Sequence, residues 1–381
     1  MSLFQIDSGK EWRGGQRQSL FLVRELKRKG YPCRFYVQPD RPLYKKAEEE
    51  GLPVFPLRIR SEASIISALR LARHMKKANC VLVHSHDAHA AAVSAMAASR
   101  AKVPIRVISR RVDFPLKDNY FSKMKYQKEI DRIIAISEGV KKVLLSGGID
   151  KKKISVIPSG IDYTPFENIA SRDYLHRELG FGDDDFLVGI VAHLADHKGH
   201  KYLIEAAGML KQKAPHIKLI IVGKGPLRMK LDEQVKKTDV DDIVFFLGFR
   251  EDVPQILASL DLFVLSSYLE GLGTSIMDAM ASRLPVVATE VGGIPELVTH
   301  EKTGLLVPPK EPGALAEAIL KLYRDRELAA SYGEEGYKVV HEKYSSRAMA
   351  KKIIKEYEHI ARRKDVKLRP INNFIKKKPT K

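Results

Sequence analysis

Acidic, basic and glycine residues of this 381-residue sequence cluster where short apolar runs end and helix-length segments begin. In segment 266–281, Glu270 precedes a glycine-containing loop, and Asp278 lies one turn into a helix predicted to start near residue 274. Free backbone amides in such a loop suit a phosphate, and the two acids suit two sets of hydroxyls on one ligand, such as a sugar and a ribose. A capped helix with a solvated acid explains either acid alone, but not the ensemble. The loop residues assigned to ligand binding are Gly271, Leu272, Gly273 and Thr274.

A second candidate phosphate site lies in segment 192–199, after another apolar run. Lys198 precedes Gly199, where a helix is predicted to begin, and His193 stands earlier in the same segment. A lysine at a helix N-terminus adds a point charge to the positive end of the helix dipole, which favours a phosphate. The segment lacks the spacing of a Walker A motif, so a P-loop is excluded.

The pair Gly14–Gly15 follows the first apolar run and precedes a helix predicted from about Gln16. Two glycines there let the backbone approach a ligand closely and direct helix N-terminal amides at an anion. A tight strand-to-helix turn is the alternative interpretation.

Three histidines, His84, His86 and His89, lie at and just beyond the end of the fourth apolar run. Their close spacing suggests a metal, but a strand alternates its faces and no distant histidine or cysteine cluster completes a site, so no metal is expected. The functional interpretation is a hydrogen bond from His86 to a polar substrate. A structural role is the alternative.

Arg110, Arg111 and Asp113 close the next apolar run. Two adjacent arginines at the carboxyl end of a strand suit an anionic acceptor or a phosphate. An ordinary salt-bridged loop is the alternative.

The elements that must position these residues are near-continuous apolar strands separated by helix-length segments, which predict buried parallel strands in a doubly wound α/β sheet. Strands are predicted in the first half at Leu3–Ile6, Cys33–Val37, Val54–Leu57, Val81–His84, Ile105–Ser109, Ile133–Ser137 and Ile154–Pro158. The pattern restarts with Phe186–Ala192, Ile217–Gly223, Ile243–Gly248, Leu262–Ser267, Pro285–Thr289 and Leu305–Val307. Since such sheets bind ligands at the carboxyl ends of their strands, a site between two similar halves is expected.

Charge is distributed unevenly along the chain. Residues 1–165 hold 32 basic and 16 acidic side chains, residues 166–360 hold 25 and 30, and residues 361–381 hold 9 and 1, which together give the net charge of +19. This asymmetry suggests an anionic partner: a membrane surface, a phosphorylated substrate or a nucleic acid. Solvation of exposed helix faces by lysine and arginine is the alternative.

The composition excludes several classes of protein. Hydrophobic residues make up 44% and charged residues 30%, which is typical of a globular chain and excludes a disordered one. No window approaches the ~18 consecutive apolar residues of a membrane span, and the N-terminus lacks the features of a signal peptide. Two cysteines give no disulfide framework. A cytoplasmic location is therefore expected.

The segment Glu270–Ala281 resembles the "acid, seven residues, acid" motif of the family 4 retaining glycosyltransferases. Further segments that agree with that family are 136–140, 156–162, 221–226, 246–249 and 288–296, so the resemblance extends from Gly14 to about Tyr344. It implies the GT-B fold, two Rossmann-like lobes that face each other across a cleft. The expected domains are an acceptor-side lobe of residues 1–165, a donor lobe of 166–344 and a basic tail of 364–381, with the helix 345–363 crossing back to the first lobe.

The resemblance also implies roles. Glu270 would contact the transferred sugar, Asp278 the ribose, and Lys198 the diphosphate, helped by amides near Gly271–Thr274 and Gly14–Gly15. The backbone near Phe249 would read the base, and His86 would lie near the sugar. The sequence departs from the family twice: Asp278 replaces the usual glutamate, and His193 stands where the family usually has a phosphate-binding arginine.

The reaction implied is retaining transfer of a hexose from a nucleotide-sugar, with a UDP-sugar favoured, by front-face displacement without a metal or other cofactor. The acceptor expected from the charge is an anionic glycan or a lipid-linked or lipopolysaccharide-core molecule at the inner face of the cytoplasmic membrane. Two alternatives remain open: an epimerase or transferase of the same fold acting on soluble sugar phosphates or nucleotide sugars, and a non-enzymatic nucleic-acid binder. The latter is disfavoured because no recognised binding module is present.

Overall fold

The protein is described here by a computed structural model that covers residues 1–116, 126, 130–167, 169 and 173–370. Its internal contacts divide the chain into two units. The first unit comprises residues 1–160 together with the chain from residue 346, and the second comprises residues 161–345. Of the predicted basic tail, residues 371–381 lie outside the described residues.

The first unit contains a parallel sheet to which the described residues contribute seven strands. In chain order these are β1 (Ser2–Asp7), β2 (Cys33–Val37), β3 (Val54–Pro56), β4 (Cys80–Ser85), β5 (Ile105–Arg110), β6 (Arg132–Ala135) and β7 (Ile154–Val156). Their order in the sheet is β3-β2-β1-β4-β5-β6-β7. The register pairs Leu3 of β1 with Cys33 of β2 and with Leu82 of β4.

Helices cover both faces of this sheet, which explains why its strands are apolar on both sides. The helices that the structure describes in full before the second unit are α1 (Gly14–Arg28), α2 (Pro42–Glu49), α3 (Ile65–Lys77), α4 (Ala88–Ala101) and α5 (Glu138–Ser146). On one face, Leu3 and Phe35 pack with Leu22 and Leu26 of α1. On the other face, Phe4 and Ile6 belong to a cluster with buried side chains of α3 and α4. Helix α1 begins at Gly14 rather than near Gln16, so the glycine pair forms its first turn.

The second unit repeats this architecture with a six-stranded parallel sheet of order β10-β9-β8-β11-β12-β13. Its strands are β8 (Phe186–Val191), β9 (Ile217–Val222), β10 (Val244–Gly248), β11 (Leu262–Leu265), β12 (Val286–Thr289) and β13 (Leu305–Val307). Its helices are α6 (Tyr174–Leu179), α7 (His200–Lys213), α8 (Arg228–Lys237), α9 (Val253–Ala258), α10 (Thr274–Ala281), α11 (Ile294–Leu297), α12 (Pro312–Arg324) and α13 (Arg326–Lys343). The predicted doubly wound α/β class is confirmed, and each predicted strand is found within two residues of its predicted ends.

The last described helix, α14 (Ser346–Arg363), packs in the first unit against α1. Its buried side chains, among them Met349, Ile353 and Tyr357, belong to the same apolar cluster as Leu22 and Leu26. One of the two apolar clusters of the first unit therefore combines side chains of α1 and α14 with those of the sheet.

The strand order creates one switch point in each sheet. In the first unit the chain leaves the adjacent strands β1 and β4 in opposite directions along the sheet, and in the second unit it does so from β8 and β11. Loops that follow such neighbouring strands diverge and leave room for a ligand at the carboxyl edge. In the second unit, the loops with Lys198 and Glu270 follow the two strands of the switch point, and in the first unit the glycine pair and His86 follow β1 and β4; Phe249 and segment 110–113 lie at or after the ends of other strands.

Candidate functional site

In the second unit, the predicted phosphate-binding segments are the loops that follow the neighbouring strands β8 and β11. Direct contacts join the two loops: the amide of Tyr268 donates to the carbonyl of His197 (2.9 Å), and the Ser266 hydroxyl donates to the carbonyl of Lys198 (3.1 Å). Gly199 has φ +68°, and a Cβ atom there would lie 2.0 Å from the Ser266 carbonyl oxygen. Only glycine fits at this point, so the approach of the two loops depends on it.

Lys198 and Glu270, the two residues predicted to serve the diphosphate and the sugar, form an ion pair across these loops. Both side chains are largely shielded, with 19% and 13% exposed. The Ser267 hydroxyl lies 3.4 Å from the same Glu270 oxygen, and the backbone carbonyl of Glu270 accepts from the amide of Gly293 (3.2 Å). The pair therefore combines a fixed cation with a fixed carboxylate at one position of the sheet edge.

The rest of the predicted donor loop leads into α10. Gly273 precedes the helix with φ +87°, a left-handed conformation that favours glycine, and Thr274 is the first helical residue. Leu272 is buried in the core, so only its backbone is available to a ligand. Asp278, one turn into the helix, is 6% exposed. A carboxylate so deep in the unit is not the solvated acid of the alternative interpretation.

A buried histidine that was not predicted from the sequence lies beside this pair. His200, the first residue of α7, is 2% exposed, and neither of its ring nitrogens has a hydrogen-bond partner among the described residues. Burial lowers the pKa of His200 to about 3, and the neighbouring Lys198 acts in the same direction. His200 is therefore neutral at physiological pH. His193, the predicted substitute for an arginine, is half-buried in the loop after β8.

Phe249, predicted to mark the base site, follows β10 and is 45% exposed. The ammonium group of Lys224 lies 4.9 Å from the centre of its ring. The next residue, Arg250, is held by ion pairs with Glu178 and Asp252 (2.5 and 2.6 Å). An exposed aromatic ring on a fixed segment is suited to contact a planar base.

In the first unit, the switch point between β1 and β4 is lined by two acids that the sequence reasoning missed. Asp7 ends β1 and accepts hydrogen bonds from Gln16 and Ser19 of α1 (3.1 and 2.8 Å). Asp87 caps α4 and also accepts from the amide of Ser8 (2.6 Å). Burial, and then the charge of Asp87, raises the pKa of Asp7. The signal that could have found both acids is their position at, or two residues beyond, the carboxyl end of a buried strand.

His86 belongs to a buried chain of hydrogen bonds that reaches α14. Its Nε2 lies 2.8 Å from the side-chain oxygen of Gln5, and the Gln5 amide nitrogen donates to the Tyr357 hydroxyl (3.3 Å). Tyr357 in turn bonds Nδ1 of His84, whose Nε2 lies 2.8 Å from the Ser109 hydroxyl. Because the Gln5 side-chain oxygen can only accept, Nε2 of His86 carries the proton in this arrangement. Burial lowers the pKa of His84 and of His86 well below the ordinary value.

Arg111 completes this cluster from the loop after β5. Its Nη2 lies 3.3 Å from Nδ1 of His86, and its Cδ is 3.5 Å from where a Cβ of Gly15 would be. Burial lowers the pKa of Arg111 to about 10, while Asp7 opposes this shift, so the guanidinium stays charged at pH 7. The structure thus brings His86, Arg111 and the first turn of α1 together.

Arg110 does not share this position. Its guanidinium donates to the Tyr126 hydroxyl (3.1 Å) and to the carbonyl of Phe114 (2.5 Å), and the side chain is buried. Asp113 is buried as well. Arg110 therefore holds its own loop, and of the two arginines only Arg111 lies beside the glycine pair.

The residues that the structure describes contain no group of three or more histidine, cysteine or acidic side chains placed to hold a metal ion. They also contain no helix that is both long and apolar enough to cross a bilayer. The metal-independent reaction stays a prediction.

Comparison with protein families decides the class of the protein. Residues 171–339 match the model of "Glycosyl transferases group 1", and residues 12–164 match that of "Glycosyltransferase Family 4". Both halves of the chain therefore belong to glycosyltransferase families. The family and the enzyme class predicted from the sequence are thereby confirmed.

Curated relatives of this glycosyltransferase agree. It is 34% identical to the "Putative glycosyltransferase EpsD" of Bacillus subtilis (strain 168), over 43% of this chain and 43% of the relative. It is 28% identical to an Escherichia coli "UDP-Gal:alpha-D-GlcNAc-diphosphoundecaprenol alpha-1,3-galactosyltransferase", over 83% of this chain and 86% of the relative. The chain spans about half the length of the first curated relatives that it matches.

A solved structure supports the fold. The glycosyltransferase is similar to Anabaena Alr3699/HepE, crystallised "in complex with UDP and glucose", with a TM-score of 0.84 and 22% identity over 94% of this chain and 100% of that one. The predicted GT-B fold, with two Rossmann-like units, is confirmed.

Proposed function

We propose that this glycosyltransferase transfers a hexose from a UDP-sugar to an anionic glycan or lipid-linked acceptor with retention of configuration. The observation that carries the proposal is the Lys198–Glu270 pair, held between two glycine-containing loops at the switch point of the second unit. A diphosphate offers the ammonium group a stronger anion, and a sugar offers the carboxylate its hydroxyl groups. The E. coli relative uses, by its name, a UDP-sugar, which favours UDP here.

The proposed chemistry asks the protein to stabilise charge on the departing diphosphate. Lys198, the backbone amides at 271–274 and the N-terminus of α10 supply fixed positive charge for that purpose, and fixed groups lose no reorganisation energy when the charge develops. In the front-face mechanism the leaving phosphate takes the acceptor's proton, so no protein nucleophile is needed. Glu270 then holds the sugar, and Asp278 holds the ribose.

Acceptor binding is assigned to the first unit, which carries the basic excess. Arg111 is its leading candidate, because its charged guanidinium lies beside the first turn of α1, whose free amides also attract an anion. Arg110 and Asp113 would shape the loop rather than bind directly, since both are buried. The name of the E. coli relative gives its acceptor as a diphosphoundecaprenol derivative, an anionic lipid. A peripheral position at the inner face of the cytoplasmic membrane, in cell-envelope or lipopolysaccharide biosynthesis, would bring such an acceptor within reach.

Product analysis tests the proposal. The enzyme is incubated with UDP-hexoses in EDTA, with a lipid-diphosphate sugar as one acceptor and a soluble sugar phosphate as the other. We expect transfer to the lipid-linked acceptor and an axial glycosidic bond by NMR when the donor bond is axial. An inverted product would contradict the retaining mechanism, and an isomerised donor without transfer would favour the epimerase alternative.

A further inference from the structure

The exposed face of α3 in the first unit combines apolar and basic side chains. Ile65, Ile66 and Leu69 are 61%, 69% and 38% exposed. Exposed large apolar residues occur singly on most proteins, but these three lie within five residues on one helix. On the other face of the same helix, Ala68, Leu71 and Met75 are buried against the core, so the orientation of the helix is fixed.

The charge of helix α3 itself has a single sign. Helix α3 carries Arg70, Arg73, Lys76 and Lys77 and no acidic residue. All four basic side chains are exposed, and within the described part of the chain none forms an ion pair. The negative end of the helix dipole favours lysines in the last turn, which explains the presence of Lys76 and Lys77. It does not account for Arg70 and Arg73 in the middle of the helix.

The segment before α3 adds to this face. The Ser67 hydroxyl donates to the carbonyl of Arg58 (2.5 Å), and the amide of Arg60 donates to the Ser64 hydroxyl (3.1 Å). These bonds hold two further exposed arginines beside the first turn of the helix. Two acids lie in the same region, Asp40 at 3.9 Å from Arg58 and Glu62 at 3.8 Å from His89, so the six lysines and arginines leave the surface with a net positive charge. Apolar side chains at one end and cations along the rest form an amphipathic surface.

We propose that this surface, defined as Arg58, Arg60 and the exposed side chains of α3, docks on an anionic lipid membrane. A helix that lies in a membrane interface inserts its large apolar residues among the lipids, while lysine and arginine contact the anionic head groups. A protein partner would need an acidic surface with a matching apolar pocket, whereas a lipid surface needs neither in a fixed arrangement. The inference deepens the proposed peripheral location, and its test measures lipid binding instead of sugar transfer, so that either can fail without the other.

Co-sedimentation of the full chain with vesicles tests the proposal. Vesicles of phosphatidylcholine alone are compared with vesicles that also contain phosphatidylglycerol, at low and high salt. We expect binding to the anionic vesicles that weakens with salt. Two variants, Ile65→Ser/Ile66→Ser/Leu69→Ser and Arg70→Gln/Arg73→Gln/Lys76→Gln/Lys77→Gln, should each weaken it by about tenfold or more.

Helix α8 provides a matched control, because it also exposes a large apolar residue, Met229, beside lysines, but it includes Asp232 and Glu233. The variant Met229→Ser/Lys230→Gln/Lys236→Gln/Lys237→Gln should bind vesicles within about twofold of wild type. Wild-type binding by folded α3 variants would overturn the proposal and assign the binding to another segment, such as the basic tail. Absence of wild-type binding would also overturn it. A dimer that the α3 variants dissociate would overturn it in favour of a second copy of this chain.

Discussion

At the scale of single residues, the proposed transfer depends on the fixed charges around the donor site. Lys198 and Glu270 satisfy each other across two loops, and Asp278 is buried in the helix that follows. These three residues come from two loops and a helix, and the sequence predicted all of them because they lie in, or one helical turn after, loops that follow buried strands. Their different positions predict different kinetic consequences when they are removed.

Lys198→Ala should lower kcat at saturating donor by about 10²–10³, because it removes a fixed cation that stabilises the departing diphosphate. Asp278→Ala should mainly raise the KM for the donor, because the ribose is held equally in the ground state and the transition state. Steady-state kinetics on both variants, with folding checked by circular dichroism, measure the difference. Equal losses of kcat in the two variants would argue against this division of roles.

His200 should make the second unit sensitive to acid. Its pKa is about 3 in the folded protein and about 6.5 when unfolded, so below pH 6.5 the unfolded chain binds the extra proton and stability falls. Between pH 7.5 and pH 5 this amounts to about 2 kcal/mol. Chemical denaturation at both pH values should show that His200→Gln loses about 2 kcal/mol less than wild type.

The matched control is Gln212→Ala, since Gln212 is an exposed residue of the same helix, α7, and has no titratable group. Its acid-induced loss of stability should equal that of wild type. If His200→Gln also loses as much stability as wild type between pH 7.5 and pH 5, the inference that buried His200 is neutral is wrong.

At the scale of elements, the donor site exists because two loops approach each other closely enough for an ion pair to form between them. That approach requires a glycine at position 199, where a Cβ would lie 2.0 Å from a backbone oxygen of the other loop. Gly180 offers a comparison within the same unit, because it has nearly the same φ, +70°, but no atom within 4 Å of its Cβ position.

Gly199→Ala should weaken UDP binding by about tenfold or more, because the Ser266 segment must move and the Lys198–Glu270 pair with it. Gly180→Ala should lose only the ~1–2 kcal/mol of stability that left-handed backbone costs alanine and keep its affinity. Isothermal titration with UDP and thermal melts compare the two. Similar affinities in both variants would show that the loop contact does not shape the site.

At the scale of the whole molecule, helix α14 returns to the first unit and packs there against α1. Helix α14 contributes Tyr357 to the buried hydrogen bonds that hold His84 and, through Gln5, His86. Burial raises the pKa of Tyr357 well above its ordinary value, so the hydroxyl keeps its proton. The C-terminal helix is thus part of the polar interior of the first unit as well as of its apolar core.

Tyr357→Phe should destabilise the first unit by about 1–3 kcal/mol, because Gln5 and His84 each lose a buried partner that no water replaces. Tyr31→Phe is the control: it also removes a tyrosine hydroxyl bond to α14, 2.6 Å from Glu358, but that carboxylate is partly exposed and water replaces the donor. Tyr31→Phe should lower the free energy of unfolding by less than about 1 kcal/mol. Equal losses of unfolding free energy in the two variants, measured by chemical denaturation, would contradict the stabilising role of the buried hydrogen bonds of Tyr357.

The sequence predicted the strands, the class of fold and the loops of the second unit well, because parallel strands buried on both faces appear as apolar runs with polar residues at their carboxyl ends. It predicted less of the first unit. Gln5 and Tyr357 are 352 positions apart, and no local pattern indicates that they meet. His86 was expected to offer a hydrogen bond to a substrate, whereas both of its ring nitrogens already have partners, Gln5 and Arg111. Side-chain partners of that kind depend on tertiary packing, which periodicity does not encode.

Isothermal titration of UDP in EDTA tests the central claim, that the loops joined by Lys198 and Glu270 form a uridine-diphosphate site. We expect wild type to bind UDP more tightly than GDP or ADP, and Lys198→Ala to bind it at least about tenfold more weakly. Lys211→Ala, at the other end of α7 and also paired with an acid, should match wild type. Unchanged affinity for UDP in Lys198→Ala, or no binding of UDP by wild type, would contradict the assignment of these loops as a uridine-diphosphate site.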